Sequence, residues 1–479
     1  MTHPVKKLSQ LGIFKYAVGD GAFSITMNGM NNFAMIYLTQ ILGLNPGWAG
    51  VAISIAIFWD AVTDPVMGHI SDNTRTRWGR RHPYVLVGGL LAAISFFMFW
   101  TVPQLLGSAG VIFAAALTFN LMVRTALTVY MVPYTALGFE ICPDYEDRAR
   151  LQGVRFFINQ LTNFFAGAMA WPFFFKERLN DAGDMVDGSL LASNYNRFAV
   201  IMGIVIVVLV SVCCWGTRQF ALDNRNEEVR GNNLKAFWVD FLAIFKDRLA
   251  VKVFIFFVIA QFAMMLMGTT QMFVYIFYMK FSAVEKSIVH GGGMLAFAFC
   301  SLNLAKLVTR FDKKPAGFIG MVLAVFGGLG LLAVFRSGMM NPQQGAFTIF
   351  GETIHLSTLV FALLQMCWWG GCGLVVPLAS SMIADVAAIN EKKTGEQKNA
   401  SYAAIFTFCS KAAGSIGINI CAMLLATAGI VSGAKEQTPE AARNIATLCF
   451  ICGPIIMISA MVLLRAYPIN RNTIKEITE

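Results

Sequence analysis

The chain alternates long apolar runs with short polar segments, and the runs set its architecture. Crossing a bilayer core of about 30 Å takes roughly 20 apolar residues in a helix. Runs of this kind fall at 14–42, 48–70, 83–105, 109–137, 150–174, 197–217, 248–280, 288–309, 315–336, 354–385, 400–428 and 442–466. They predict an all-α integral membrane protein with twelve transmembrane helices. The longest polar interruption, 218–247, carries Asp223, Arg225, Glu227, Glu228 and Arg230 in succession. It predicts two pseudo-symmetric six-helix bundles, 1–217 and 248–479, joined by a cytoplasmic linker at 218–247, the second ending in a short cytoplasmic tail.

Composition supports lipid as the solvent. The 479 residues are 57% hydrophobic and 13% charged, too little polar surface to coat a water-soluble globule of that size. The formal charge of +10 does not gather on one solvated face, as a nucleic-acid surface requires. It is dealt out between the runs: Arg75, Arg77, Arg80 and Arg81 after the second, Arg148 and Arg150 after the fourth, Arg310, Lys313 and Lys314 after the eighth, Lys392, Lys393 and Lys398 after the tenth. The alternate turns Gly43 to Gly47 and Val102 to Gly110 have no Lys or Arg. The positive-inside rule then predicts a multi-pass protein of a bacterial inner membrane with both termini cytoplasmic. Lys6 and Lys7 resemble the start of a signal peptide, but Lys15 and Asp20 interrupt the following run, which predicts an uncleaved first span. Nine of the ten cysteines lie in or beside apolar runs and read as small packing residues. The five histidines have no ligand spacing, so no metal site and no cofactor is expected.

Charge at bilayer depth costs about 2.5 to 3.5 kcal/mol on insertion scales and so marks functional candidates. These are Asp20 in the first run, Asp60 and Asp64 in the second, Arg124 in the fourth, Arg155 in the fifth and Lys411 in the eleventh. Asp60 and Asp64 stand one helical turn apart on one face. Like charges that close call for a shared proton, a bound cation or a basic partner, and an ion pair with Arg155 or Lys411 satisfies the same need. Asp20, Ser24, Asn28 and Asn31 form a polar stripe on the first run, and Arg155, Asn159 and Asn163 one on the fifth. Such stripes face the bundle interior, as a water-lined cavity or as glue between helices. Dispersed donors and acceptors with an aromatic platform suit a hydroxyl-rich ligand; Trp59, Tyr134, Trp368 and Trp369 are the aromatic candidates. After the second run, Gly68 to Arg81 places Asp72 with Arg80 and Arg81 at a tight turn, echoed by Arg310, Asp312, Lys313 and Lys314 after the eighth. These charges are read as a gate at helix ends, or as topogenic charge alone.

Trp59-Asp60-Ala61-Val62-Thr63-Asp64-Pro65-Val66-Met67-Gly68 and Thr76-Arg77-Trp78-Gly79-Arg80-Arg81-His82-Pro83 resemble the glycoside-pentoside-hexuronide:cation symporters of the major facilitator superfamily. Gly19-Asp20, Val132-Pro133-Tyr134, Asp147-Arg148-Ala149-Arg150-Leu151, Arg155-Phe156-Phe157 and Ser410-Lys411-Ala412-Ala413-Gly414 extend the likeness. The resemblance implies secondary transport of a sugar or glycoside by alternating access, with Asp60 and Asp64 as cation-site carboxylates, Lys411 near the ion and Arg155 beside the sugar. The chain departs from the family pattern at Ser24, where a sugar-binding aspartate is expected, leaving Asp20 as substitute, and at Met131, where a third carboxylate is expected. The second departure favours H+ over Na+ as the coupling ion. Arg124, with Arg155 and Lys411, makes the expected cavity basic, which suggests an acidic saccharide such as a uronate, a glucuronide or a sulfated sugar; the bland reading is that these cations balance Asp20, Asp60 and Asp64. The expected substrate residues are Asp20, Ser24, Asn28, Arg124, Arg155, Asn159 and Trp368, in a chain that works as a monomer in lipid, binds no nucleic acid and is not an enzyme. An intramembrane aspartyl protease fits poorly, because Ala17 stands where its signature has glycine and no Tyr-Asp partner occurs in another run. An uncoupled facilitator and a transporter-like sensor are the alternatives.

Overall fold

The computed structural model describes residues 9–141, 145–179, 185–223, 244–349, 351–395, 399–465 and 467–468, with main chain alone at 139–140, 145–149, 220–223 and 399–400. Most of the expected linker, along with Cys142, Arg225, Arg230, Lys398 and the side chains of Asp147 and Arg148, lies outside the described residues.

Among the described residues twelve long helices follow the apolar runs: α1 (Gln10–Ile36), α2 (Pro46–Asp72), α3 (His82–Thr101), α4 (Ala109–Ile141), α5 (Tyr145–Asn163), α6 (Ala192–Asp223), α7 (Arg248–Phe273), α8 (Ala283–Phe311), α9 (Lys313–Arg336), α10 (Leu356–Thr394), α11 (Asn399–Thr427) and α12 (Pro439–Arg465). Ten of them are long and apolar enough to cross a membrane; α1 and α5 are the two that are not, because the polar stripes and basic entry of these helices replace apolar residues. Local sequence explains where several helices start. Asn45 accepts from Gly47 N at 2.9 Å just before Pro46, Asp247 accepts from Leu249 N at 2.9 Å, and Ser282 with Glu285 forms a reciprocal capping box. α1, α5 and α7 each end in a π-helical turn, at Tyr37–Ile41, Phe164–Ala168 and Val274–Tyr278.

Packing repeats itself between the halves. α3 lies on α4 and α6, α2 on α4, and α1 on α5 and α6. In the second half α9 lies on α10 and α12, α8 on α10, and α7 on α11 and α12, the same pattern six helices later. The halves meet where α2 crosses α11 and where the π turn after α5 meets α8, which leaves the axis between them open for a cavity. Repeated halves about a midplane site are the frame of an alternating-access carrier.

One end of this seam is tightly joined. Gly433 N donates to Thr39 O at 2.9 Å, Ser432 Oγ to Leu44 O at 2.8 Å, and Ser54 Oγ lies 3.0 Å from Ser415 Oγ. Lys286 of α8 is fully buried and ion-paired with Asp187 in the segment between α5 and α6, with the Trp171 ring 5.0 Å from its ammonium. Lys176 and Glu352 add an exposed pair at 3.1 Å. At the opposite end lie the charged turns. Asp72 and Arg81 pair at 2.5 Å across the α2–α3 turn, Arg81 Nη1 also donates to Ser71 Oγ at 2.7 Å, and Lys313 pairs with Asp385 of α10 at 2.5 Å. These charges tie helix ends within each half; Arg80 sits beside Arg81 in the same turn, half-buried.

Candidate functional site: a charged cavity between the halves

A cavity of about 930 Å³ opens between the halves. Asp60 and Asp64 line it from α2, Arg124 and Thr128 from α4, Asn28 from α1, Asn163 from α5, Gln271 from α7, His290 from α8, Trp369 from α10 and Lys411 from α11. The second half also presents Met264, Met265, Met294 and Phe297, an apolar wall facing the amides of the first.

The charged centre lies where α2, α4 and α11 converge. Lys411 Nζ is 2.9 Å from Asp60 Oδ2 and also bonds Asp64 Oδ2. The Thr128 hydroxyl bridges the two carboxylates, 2.8 Å from Asp60 Oδ1 and 3.0 Å from Asp64 Oδ1. Having one proton, it donates to one of them at a time. Arg124 is only 4% exposed; its Nη1 lies 3.7 Å from Asp60 Oδ2 and 3.5 Å from the Met27 sulfur, and its Nε has no hydrogen-bond partner. Two carboxylates therefore face two cations. Thr128 escaped sequence reasoning because a hydroxyl in an apolar run is unremarkable on its own; the available signal was its place one helical turn after Arg124.

The stripes of α1 and α5 satisfy one another. Arg155 Nε and Nη2 both lie 2.7 Å from Asp20 Oδ2, Asn159 Nδ2 donates to Asp20 Oδ1 at 2.9 Å, Asn163 Nδ2 to Asn159 Oδ1 at 2.9 Å, and Asn28 Nδ2 to Asn163 Oδ1. The Tyr134 ring lies 4.9 Å from the Arg155 guanidinium. This network is helix glue at its Asp20 end and cavity wall at its Asn28 end. Of the expected substrate residues, Asn28 and Arg124 line the cavity, whereas Asp20, Ser24, Arg155 and Asn159 are not among its lining residues. Ser24 is buried with its Oγ unpartnered.

Trp368 calls for a correction. It is fully buried, wedged inside the second half against Gly328 and Gly453, and the next residue, Trp369, faces the cavity and donates Nε1 to Gln271 Oε1 at 3.3 Å. One residue of helix is a rotation of about 100°, enough to exchange core for cavity. Trp59 of α2 is part-exposed and donates Nε1 to Thr125 Oγ1 at 2.9 Å, outside the cavity lining.

Residues 15–471 match the family model described as MFS/sugar transport protein. The chain belongs to that family. It is a major facilitator of the glycoside-pentoside-hexuronide:cation symporter group, a transporter and not an enzyme. It is 26% identical to Inner membrane symporter YicJ of Escherichia coli (strain K12) over 97% of this chain and 93% of that one. It is 22% identical to the Sodium-dependent lysophosphatidylcholine symporter 1 of Xenopus tropicalis over 98% and 89%, and 22% identical to the Glucuronide carrier protein homolog of Escherichia coli (strain K12) over 98% and 95%. Among solved structures, the nucleoside transporter NupG superposes with a TM-score of 0.62 at 12% identity, covering 95% of this chain and 99% of that one. The chain is thus a multi-pass membrane carrier of the sugar-symporter type.

Proposed function

We propose that this carrier imports an acidic saccharide or glycoside across an inner membrane together with a proton, with its termini in the cytoplasm. The observation that carries the reading is the cluster of Asp60, Asp64, Thr128, Lys411 and Arg124 opening onto the cavity. With both carboxylates ionised, the two cations balance them. A proton on the pair leaves one positive charge in surplus, and a substrate carboxylate or sulfate cancels it. Arg124 supplies the partner for that anion, since its guanidinium borders the cavity and its Nη1 stands 3.7 Å from Asp60, short of a close ion pair. Asn28, Asn163 and Gln271 offer hydrogen bonds to hydroxyls, Trp369 a flat apolar face for a sugar ring, and the methionines opposite them room for an aglycone.

Lys411 belongs to α11 and the aspartates to α2, so their bonds cross the seam. Protonation weakens them and lets the halves rock. Proton and substrate then raise one another's affinity, as linkage requires. The test is uptake into proteoliposomes of a panel of neutral and acidic saccharides under a proton or a sodium gradient. Accumulation of an acidic saccharide driven by the proton gradient, and its loss in Asp60→Asn and Asp64→Asn, is the expected result. Accumulation driven by sodium alone overturns the proton assignment, equilibration without accumulation establishes an uncoupled facilitator, and a wild-type preference for acidic over neutral sugars that Arg124→Gln retains removes the anion clamp.

A further inference from the structure

We infer that the Arg124 guanidinium is a tethered counter-ion standing where a coupling metal cation would otherwise sit, so that the carrier binds no sodium, and that removing its charge opens an alkali-cation site on Asp60, Asp64 and Thr128. The inference deepens the proposed coupling, resting on Asp60 and Asp64 as the coupling carboxylates, and concerns which ion that same centre accepts.

The two cations at the centre differ in kind. Lys411 lies on α11, across the seam from α2, so its bonds to Asp60 and Asp64 must part whenever the halves rock about this axis. Arg124 lies on α4, which packs on α2 within the first half, so it travels with the aspartates through the whole cycle. When Lys411 withdraws, a pair of carboxylates with no other cation would take up a metal ion to stay near neutrality. Here Arg124 remains, 3.7 Å from Asp60, so the pair is left only one charge short of neutrality, and the coupling proton of the proposed mechanism supplies it. A sodium ion added beside it would put a second fixed positive charge in a site walled by protein, where charges interact far more strongly than in water.

The way Arg124 is held supports a charge-balancing role. Its Nη1 touches the Met27 sulfur at 3.5 Å, its Nε has no partner, and Asp60 and Asp64 are the anions at its centre. A buried guanidinium held without a bidentate carboxylate is costly unless the surrounding field needs its charge. Meanwhile the oxygens of Asp60, Asp64 and Thr128 already converge, each carboxylate within 3.0 Å of the hydroxyl, and hard cations take such oxygen ligands.

The experiment measures melting of the purified full-length protein in detergent, in sodium chloride against choline chloride at equal ionic strength. Wild type, Asp64→Asn, Arg124→Gln, Arg124→Lys and Arg124→Gln/Asp64→Asn are compared. A ligand that binds the folded state raises its melting temperature saturably. We expect no sodium-specific shift for wild type or Arg124→Lys, a saturable sodium-specific rise in Tm for Arg124→Gln, and loss of that rise in the double variant. A sodium-specific rise in wild type that Asp64→Asn abolishes overturns the inference, as does a folded Arg124→Gln with no sodium response. If Arg124→Gln does not fold, Arg124→Met replaces it, and the wild-type measurement decides the first half regardless. Because melting needs no substrate, sodium binding is read even if no saccharide is carried; failed saccharide uptake beside the expected melting pattern strikes the transport reading alone.

Discussion

Replacing Lys286 by methionine tests whether the joined end of the seam sets the conformational balance. Lys286 has no exposed side-chain surface, and Asp187 only 14%, so removing the ammonium strands a nearly buried carboxylate on the other half. Breaking a buried pair this way costs about 3–5 kcal/mol. Asp187 keeps two local donors, Ser189 N at 2.9 Å and Ser189 Oγ at 2.6 Å, which places the loss near the lower end, ~3 kcal/mol. At about 1.4 kcal/mol per tenfold, the closed population falls against the open one by a factor on the order of 100. The assay is the labelling rate, by a membrane-impermeant maleimide, of Ser54→Cys in a cysteine-free background; Ser54 is buried between the halves beside Ser415. Lys286→Met accelerates labelling by up to that factor, and Asp187→Asn in the same chain returns most of the change because no carboxylate is then stranded. An unchanged labelling rate in a folded Lys286→Met protein refutes the reasoning.

Three further outcomes follow from the same geometry. Trp368→Ala lowers Tm, by the roughly 3–5 kcal/mol typical of an emptied aromatic core site, whereas Trp369→Ala raises KM for substrate with a much smaller loss of stability; the reverse pattern contradicts the placement of the two rings. Asp20→Asn destabilises by about 3–5 kcal/mol because it strands the Arg155 guanidinium, so thermal melting falls before any substrate effect is read, and a change in KM at constant Tm would instead make Asp20 a substrate ligand. Glu177, in the segment after α5, has a buried oxygen without a partner, and burial pushes its carboxyl above the usual carboxylate range against the opposing pull of Lys286. A group whose pKa is raised in the closed state binds its proton more tightly there, so closure strengthens as pH falls through that raised value and weakens above it; the Ser54→Cys labelling rate followed against pH checks the sign, with Glu177→Gln expected to flatten the profile.

How much of this was legible beforehand depends on the distance over which each feature is encoded. Helices are local, and apolar runs placed them well; α6 and α10 run on to Asp223 and Thr394, beyond their expected ends, because a helix that clears the membrane has no need to stay apolar. Asp60, Asp64 and Lys411 stood out because charge in an apolar run is rare. The Lys286–Asp187 pair did not. Asp187 sits in a polar segment and Lys286 just ahead of the expected eighth run, so each reads as an ordinary loop charge until the halves bring them together. The Asp20–Arg155 pair shows the converse: charges were found, but only the helix rotation told that they satisfy each other. Trp368 and Trp369 could not be separated by pattern, since α10 is apolar nearly all round and gives no face to count from.

The seam at Thr39, Leu44, Ser432 and Gly433 has a consequence for how this carrier tolerates mutation. Its acceptors are both main-chain carbonyls, and one of its donors is a main-chain amide, which every residue type but proline carries. Side-chain drift around the α1–α2 turn therefore leaves this part of the closure intact while the cavity is free to diversify. The vulnerable point is Gly433, whose φ of +74° is strained for any other residue. A substrate pocket can thus change its chemistry by side-chain substitution while the main-chain part of the clasp that shuts it stays in place, its weak point the backbone conformation of one glycine.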